Sequence, residues 1–104
     1  MTDSPKVTTF EVFGYQYCSY ANKAVSRVEA VAKAYPDTVK AESKITSRAE
    51  YKEWLRNNPK VPSYHTTSPA CFENKKFVGG CDDICALLDK KYPVESSGGF
   101  CALQ

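Results

Sequence analysis

The sequence predicts an alternating α/β fold in the order β-α-β-α-β-β-α, and three patterns carry that expectation. Residues 7–13, Val-Thr-Thr-Phe-Glu-Val-Phe, are β-branched or aromatic except for Glu11, as a buried strand requires. From Ser19 onward the apolar positions recur every three or four residues, the period of an amphipathic helix. A short hairpin pattern and a third helical stretch, preceded by Gly79-Gly80, follow before the tail.

Taken in order, the first strand is followed by Gly14 and ends just before Cys18. The first helix carries Ala21, Ala24, Val25, Val28, Val31, Ala32 and Tyr35 on one side and Lys23, Arg27 and Lys33 on the other, until Pro36 stops it. Thr38–Ser43 is a weaker strand, because charged residues alternate there with small ones. Ser47-Arg48-Ala49-Glu50 has capping-box spacing, with Tyr51, Trp54 and Leu55 as the stripe of a second helix that ends at Asn57-Asn58-Pro59. Residues 59–66 read as a loop. Ala70–Phe72 and Lys76–Val78 form a hairpin around Asn74-Lys75, and Asp82-Asp83 open a last helix bearing Ile84, Leu87, Leu88 and Tyr92.

The 104 residues suffice for one domain, expected over residues 1–93, with residues 94–104 as a flexible Ser- and Gly-containing tail. A formal charge of +2 with scattered lysines and arginines argues against nucleic-acid binding. The apolar runs are too short to span a membrane, and the first residues lack the pattern of a secretory signal, so a cytoplasmic, reducing location is expected. Five cysteines without paired spacing then point to reactivity or burial rather than to a disulfide framework.

One cysteine stands where chemistry is expected. Cys18 falls at the start of the first helix, where unpaired N–H groups and the positive dipole end favour an anion, and thiolate is the reactive form of the group. Pro69, after Ser68 and before a strand, is a candidate cis proline whose bend leaves a backbone edge able to accept an extended peptide. Gly79-Gly80 lets the chain turn closely, leaving the N–H groups of Cys81 and Asp82 to hold a carboxylate while the Asp82 side chain meets an amino group. Asp83 is read as complementing the helix dipole alone. Together these features outline a pocket for a small thiol peptide.

These same residues carry a family resemblance. Through Tyr17-Cys18-Ser19-Tyr20, Thr67-Ser68-Pro69 and above all Gly79-Gly80-Cys81-Asp82-Asp83, the chain up to about Tyr92 resembles the glutaredoxins. The resemblance implies a thioredoxin-like fold with a central four-stranded mixed sheet flanked by helices, and glutathione-dependent thiol–disulfide exchange. It implies Cys18 as the nucleophile that becomes glutathionylated. Ser68 and Pro69 would hold glutathione's cysteinyl backbone, Gly80, Cys81 and Asp82 its γ-glutamyl end, and Tyr20 would line the groove.

Two positions depart from the family pattern. Where dithiol members have a second cysteine this chain has Ala21, so a monothiol mechanism is expected, in which a second glutathione releases the first. The same sequence would result from a natural variant or from replacement of a resolving cysteine. Tyr15 stands where the family usually has a lysine that pairs with glutathione's glycine carboxylate; Lys60, Arg56 or Gln16 are the candidate replacements.

Two readings follow. The first is an oxidoreductase that reduces protein–glutathione mixed disulfides as a monomer; the alternative is a dimer bridged by a [2Fe-2S] cluster held by Cys18 of each subunit and two glutathiones. Ser19 resembles cluster-binding members. The spacing of Cys81 and Cys85, four apart on a helix, suits shared metal ligation better than a disulfide, but no further ligand cluster accompanies them, so Cys85 reads as packing and Cys71 as core. His65 reads as a solvated loop histidine. The terminal Cys101-Ala102-Leu103-Gln104 has the form of a prenylation signal, the one route by which a membrane would become a partner.

Overall fold

The computed structural model describes residues 7–93; the expectations for the tail, Cys101 included, lie outside them. Seven elements follow in chain order: β1 (Thr8–Tyr15), α1 (Ser19–Ala34), β2 (Val39–Thr46), α2 (Arg48–Asn57), β3 (Ala70–Glu73), β4 (Lys76–Gly79) and α3 (Cys81–Lys91). They form one four-stranded mixed sheet in the order β2-β1-β3-β4, with β1 parallel to β2 and antiparallel to β3, and β3 antiparallel to β4. The order and the mixed sheet agree with expectation.

Alternation along the two central strands divides the core into two layers. Phe10 and Val12 of β1 and Cys71 of β3 meet Ala24, Val28 and Val31 of α1 and Ile84 and Leu88 of α3. The intervening residues point the other way: Phe13 and Tyr15 of β1 and Ala70 and Phe72 of β3 pack with Tyr51, Trp54 and Leu55 of α2 and with Val61. Phe13 stacks on Trp54 at 4.6 Å between ring centroids. None of the helices is long and apolar enough to cross a membrane among the described residues.

Element boundaries differ from the sequence reading in one direction. Both N-terminal strands are longer than expected: β1 runs through Gly14 to Tyr15 and β2 through Lys44 and Ile45 to Thr46, paired residue for residue from Thr8–Val39 to Tyr15–Thr46. Pairing with β1 supplies backbone bonds that local propensity does not register, so charged side chains on an edge strand remain compatible with a ladder. Gly14 has a packing reason to lack a side chain, since a Cβ there would stand 2.7 Å from the Ala21 methyl and 2.8 Å from Ser68 Oγ. The strand thereby comes close to α1 and to the bend at Ser68.

Caps and turns follow their residues. Ser47 Oγ accepts the Glu50 N–H at 3.2 Å and Glu50 Oε1 accepts the Ser47 N–H at 3.4 Å, the reciprocal cap anticipated for α2. At the hairpin tip Asn74 and Lys75 both have positive φ, 52° and 72°, as a two-residue turn between right-twisted strands demands. Asn74 also bonds back to β1, its N–H to the Thr9 carbonyl at 2.8 Å and its Oδ1 from the Thr9 N–H at 2.9 Å.

Candidate active site

Three chain segments converge at one end of the sheet: the β1–α1 junction, the bend before β3, and the step from β4 into α3. Tyr17 takes a left-handed conformation, φ 66°, which turns the chain from β1 so that Cys18 becomes the N-cap residue of α1. Cys18 is only 9% exposed, and its Sγ lies 3.9 Å from the Ser68 carbonyl oxygen across the junction. Ser68-Pro69 is a cis peptide bond, as anticipated.

Gly79 has φ +146°, and a Cβ on it would fall 2.1 Å from Asp83 Oδ2, so neither the conformation nor the space admits another residue. Asp83 reaches back so that Oδ2 accepts the Gly80 N–H at 3.3 Å. It therefore closes the turn as well as complementing the dipole. The next N–H groups, of Cys81 and Asp82, open α3 and have no intrahelical carbonyl to reach.

The segments enclose a cleft of about 570 Å³ lined by Tyr15, Cys18, Tyr20, Ser68, Gly80, Cys81 and Asp82 from the sequence reading, and by Arg48, Tyr51, Lys52, His65, Thr66, Thr67 and Asp83 besides. Pro69 is buried directly behind Ser68. Gln16 and Lys60 are not among the lining residues: exposed Gln16 gives its N–H to the Thr46 carbonyl, and Lys60 borders a separate depression beside Glu11 and Trp54. Arg56 lines an adjoining groove rather than the cleft. The cations that do reach the cleft are Arg48 and Lys52, one turn apart on α2, with the Arg48 guanidinium 5.6 Å from the Tyr15 ring centroid. Their signal in the sequence was their four-residue spacing on the flank of the Tyr51 stripe.

His65 differs from the expectation of a solvated loop side chain. Its ring lies edge-on to Phe77 at 5.0 Å, and Nε2 donates to the Pro69 carbonyl at 3.0 Å, so that Nε2 carries the hydrogen. Tyr51, 2% exposed, donates its hydroxyl to the Thr67 carbonyl at 2.7 Å, and burial raises its pKa well above the ordinary phenol value. Two tethers thus hold the bend from either side. Ser68 Oγ, between them, is buried without a hydrogen-bond partner.

Two thiols beside the sheet are shifted by their surroundings. Burial, followed by Cys85 at 3.9 Å, pushes the Cys81 thiol up to about 12, and burial raises the Cys71 thiol further. Both stay protonated at neutral pH and make poor nucleophiles. Among the described residues no three His, Cys, Asp or Glu side chains gather to hold a metal ion.

Comparison with solved structures bears on this arrangement. The glutaredoxin of Escherichia coli superposes with a TM-score of 0.59 at 24% identity, covering 83% of this chain and 99% of that one. The crystal structure of glutaredoxin 1 from Francisella tularensis complexed with cacodylate gives 0.58 at 16% identity, over 81% and 95%. The fold is the glutaredoxin fold. In sequence, the chain is 52% identical over 29 residues to a probable glutaredoxin of Acanthamoeba polyphaga mimivirus, a match spanning 28% of this chain and 27% of that protein. No family model matches the sequence. The cleft thus lies on a glutaredoxin scaffold, with Cys18 at the β1–α1 junction and the cis bend facing it.

Proposed function

We propose that the protein is a glutathione-dependent thiol–disulfide oxidoreductase that reduces protein–glutathione mixed disulfides by a monothiol route through Cys18. The observation that carries this reading is the sharing of one cleft by Cys18, the Ser68 bend and the Gly80–Asp82 turn. An extended tripeptide laid along Ser68 finds backbone groups for its central residue. The Cys81 and Asp82 N–H groups suit its γ-glutamyl carboxylate and the Asp82 side chain its amino group. At the other end Arg48 and Lys52 offer positive charge to the glycine carboxylate, in place of the Tyr15-position lysine, with Tyr15 beneath the guanidinium and Tyr20 along the rim.

The chemistry follows from that placement. The Cys18 thiolate attacks the glutathionyl sulfur; the protein–glutathione S–S bond breaks, the protein thiolate leaves and takes a proton from water, and glutathione stays bonded to Cys18. The thiolate of a second glutathione then attacks that bound sulfur, which frees Cys18 and yields glutathione disulfide. The net exchange consumes one free glutathione thiol per mixed disulfide and yields one protein thiol and one glutathione disulfide, whose other half comes from the substrate. Ala21 is fully buried and carries no sulfur, and Cys81 is held protonated, so neither competes with the second glutathione.

Glutathionylated proteins in a reducing, cytoplasmic compartment are the partners this chemistry requires. Turnover of a glutathione–cysteamine mixed disulfide, coupled to NADPH through glutathione reductase, tests the reading. Cys18→Ser should remove all turnover above background while leaving the circular dichroism spectrum unchanged; retained turnover in that variant refutes the assignment. A colourless, active monomer after anaerobic purification is the expected outcome, and brown protein whose visible absorption requires Cys18 would favour the cluster-bridged dimer instead.

A further inference from the structure

The glutathione reading accounts for the cleft but leaves the groove beside it without a role. That groove, about 730 Å³, lies between α2 and the loop that follows it, and Lys52, His65 and Thr66 line both spaces. Arg48, Lys52 and Arg56 are spaced four apart on α2, so their side chains follow one flank of the helix. The first two border the cleft and the last two the groove, which makes the row continuous. No ion pair within 4.0 Å engages any of the three among the described residues, where Arg27, Lys75 and Lys91 each have a carboxylate partner. Glu50 is committed to the Ser47 cap, and no Asp or Glu lines the groove. Its remaining wall is partly apolar, through Leu55, Val61 and Pro62.

We infer that this groove seats the polypeptide part of the mixed-disulfide substrate and selects segments with acidic residues flanking the glutathionylated cysteine. The inference rests on the glutathione reading of the cleft. A tripeptide occupies the cleft, so the protein to which its sulfur is joined must continue outside it. The groove is contiguous with the cleft, and cations without an ion-pair partner, beside a groove that no carboxylate lines, complement an acidic chain. Aliphatic contacts along Leu55 and Val61 would add affinity for apolar residues between the acidic ones.

The test compares the glutathione–cysteamine disulfide with two glutathionylated peptides of equal length, one with glutamates flanking the cysteine and one with lysines. The acidic peptide should exceed the basic one in kcat/KM by about tenfold at low ionic strength, and the ratio should shrink as salt is added. Arg56→Glu should abolish the preference while leaving turnover of the small disulfide unchanged. A wild-type ratio near one, or a ratio that Arg56→Glu does not alter, overturns the inference. Failure to turn over even the small disulfide would count against the glutathione reading. Fluorescence anisotropy of the reduced, dye-labelled acidic peptide, which needs no turnover, decides the surface separately: salt-sensitive binding weakened by Arg56→Glu supports it, and no binding overturns it.

Discussion

Cys71 and Cys81 show how position alone alters one functional group. Cys71 and Cys81 lie where burial disfavours the anion, and Cys85 adds to the effect at Cys81; Cys18 caps a helix at the mouth of the cleft. A consequence is measurable in the pH dependence of stability. Unfolded thiols begin to ionise near 9.0, while in the folded protein Cys81 holds its proton to about 12 and Cys71 and the Tyr51 hydroxyl are also shifted upward. Above pH 9 the unfolded chain therefore binds fewer protons than the native one, and unfolding free energy should fall as pH rises from there towards 12. Urea titrations between pH 7 and pH 11 would check this, a flat profile across about pH 9–11 being the contrary result. Residues that act through chain-local rules were legible in the sequence: Cys18 at a strand–helix junction, the Ser68-Pro69 bend, the Gly80–Asp82 turn. Arg48, Lys52 and His65 were not, because their relation to the cleft depends on how α2 and the 59–66 loop lie against the sheet.

Among the elements, the β4–α3 step is the least replaceable. Gly79 combines positive φ with an Asp83 carboxylate where any Cβ would stand. Gly79→Ala should cost about 1–3 kcal/mol in unfolding free energy from backbone strain, with a further loss as Asp83 is pushed off the Gly80 N–H. Glutathione affinity should fall with it, because the Cys81 and Asp82 N–H groups move with the turn; urea titration and calorimetric titration with glutathione would measure the two effects. The sequence already contained this turn, the α2 cap of Ser47 and Glu50 and the hairpin at Asn74-Lys75, all set by neighbouring residues. It understated β2 because Lys40, Glu42 and Lys44 mask a strand whose ladder is supplied by β1.

For the molecule as a whole, the sheet separates two apolar layers whose helices all meet the end that carries the cleft. α1 contributes Cys18, α3 the turn that follows Gly80, and α2 the cationic row, while the cis bend before β3 faces the thiol between them. The order of elements was legible because periodicity changes sharply at Cys18, Pro36 and Asn57-Asn58-Pro59; the division of the core into layers required the strand pairing itself. The measurement that bears most directly on this arrangement is peptide-mapping mass spectrometry after treatment with oxidised glutathione. One glutathione bonded to Cys18, removed by excess reduced glutathione and absent from Cys18→Ser, is the expected result. Adducts at Cys81 or Cys85 with Cys18 left free would contradict it.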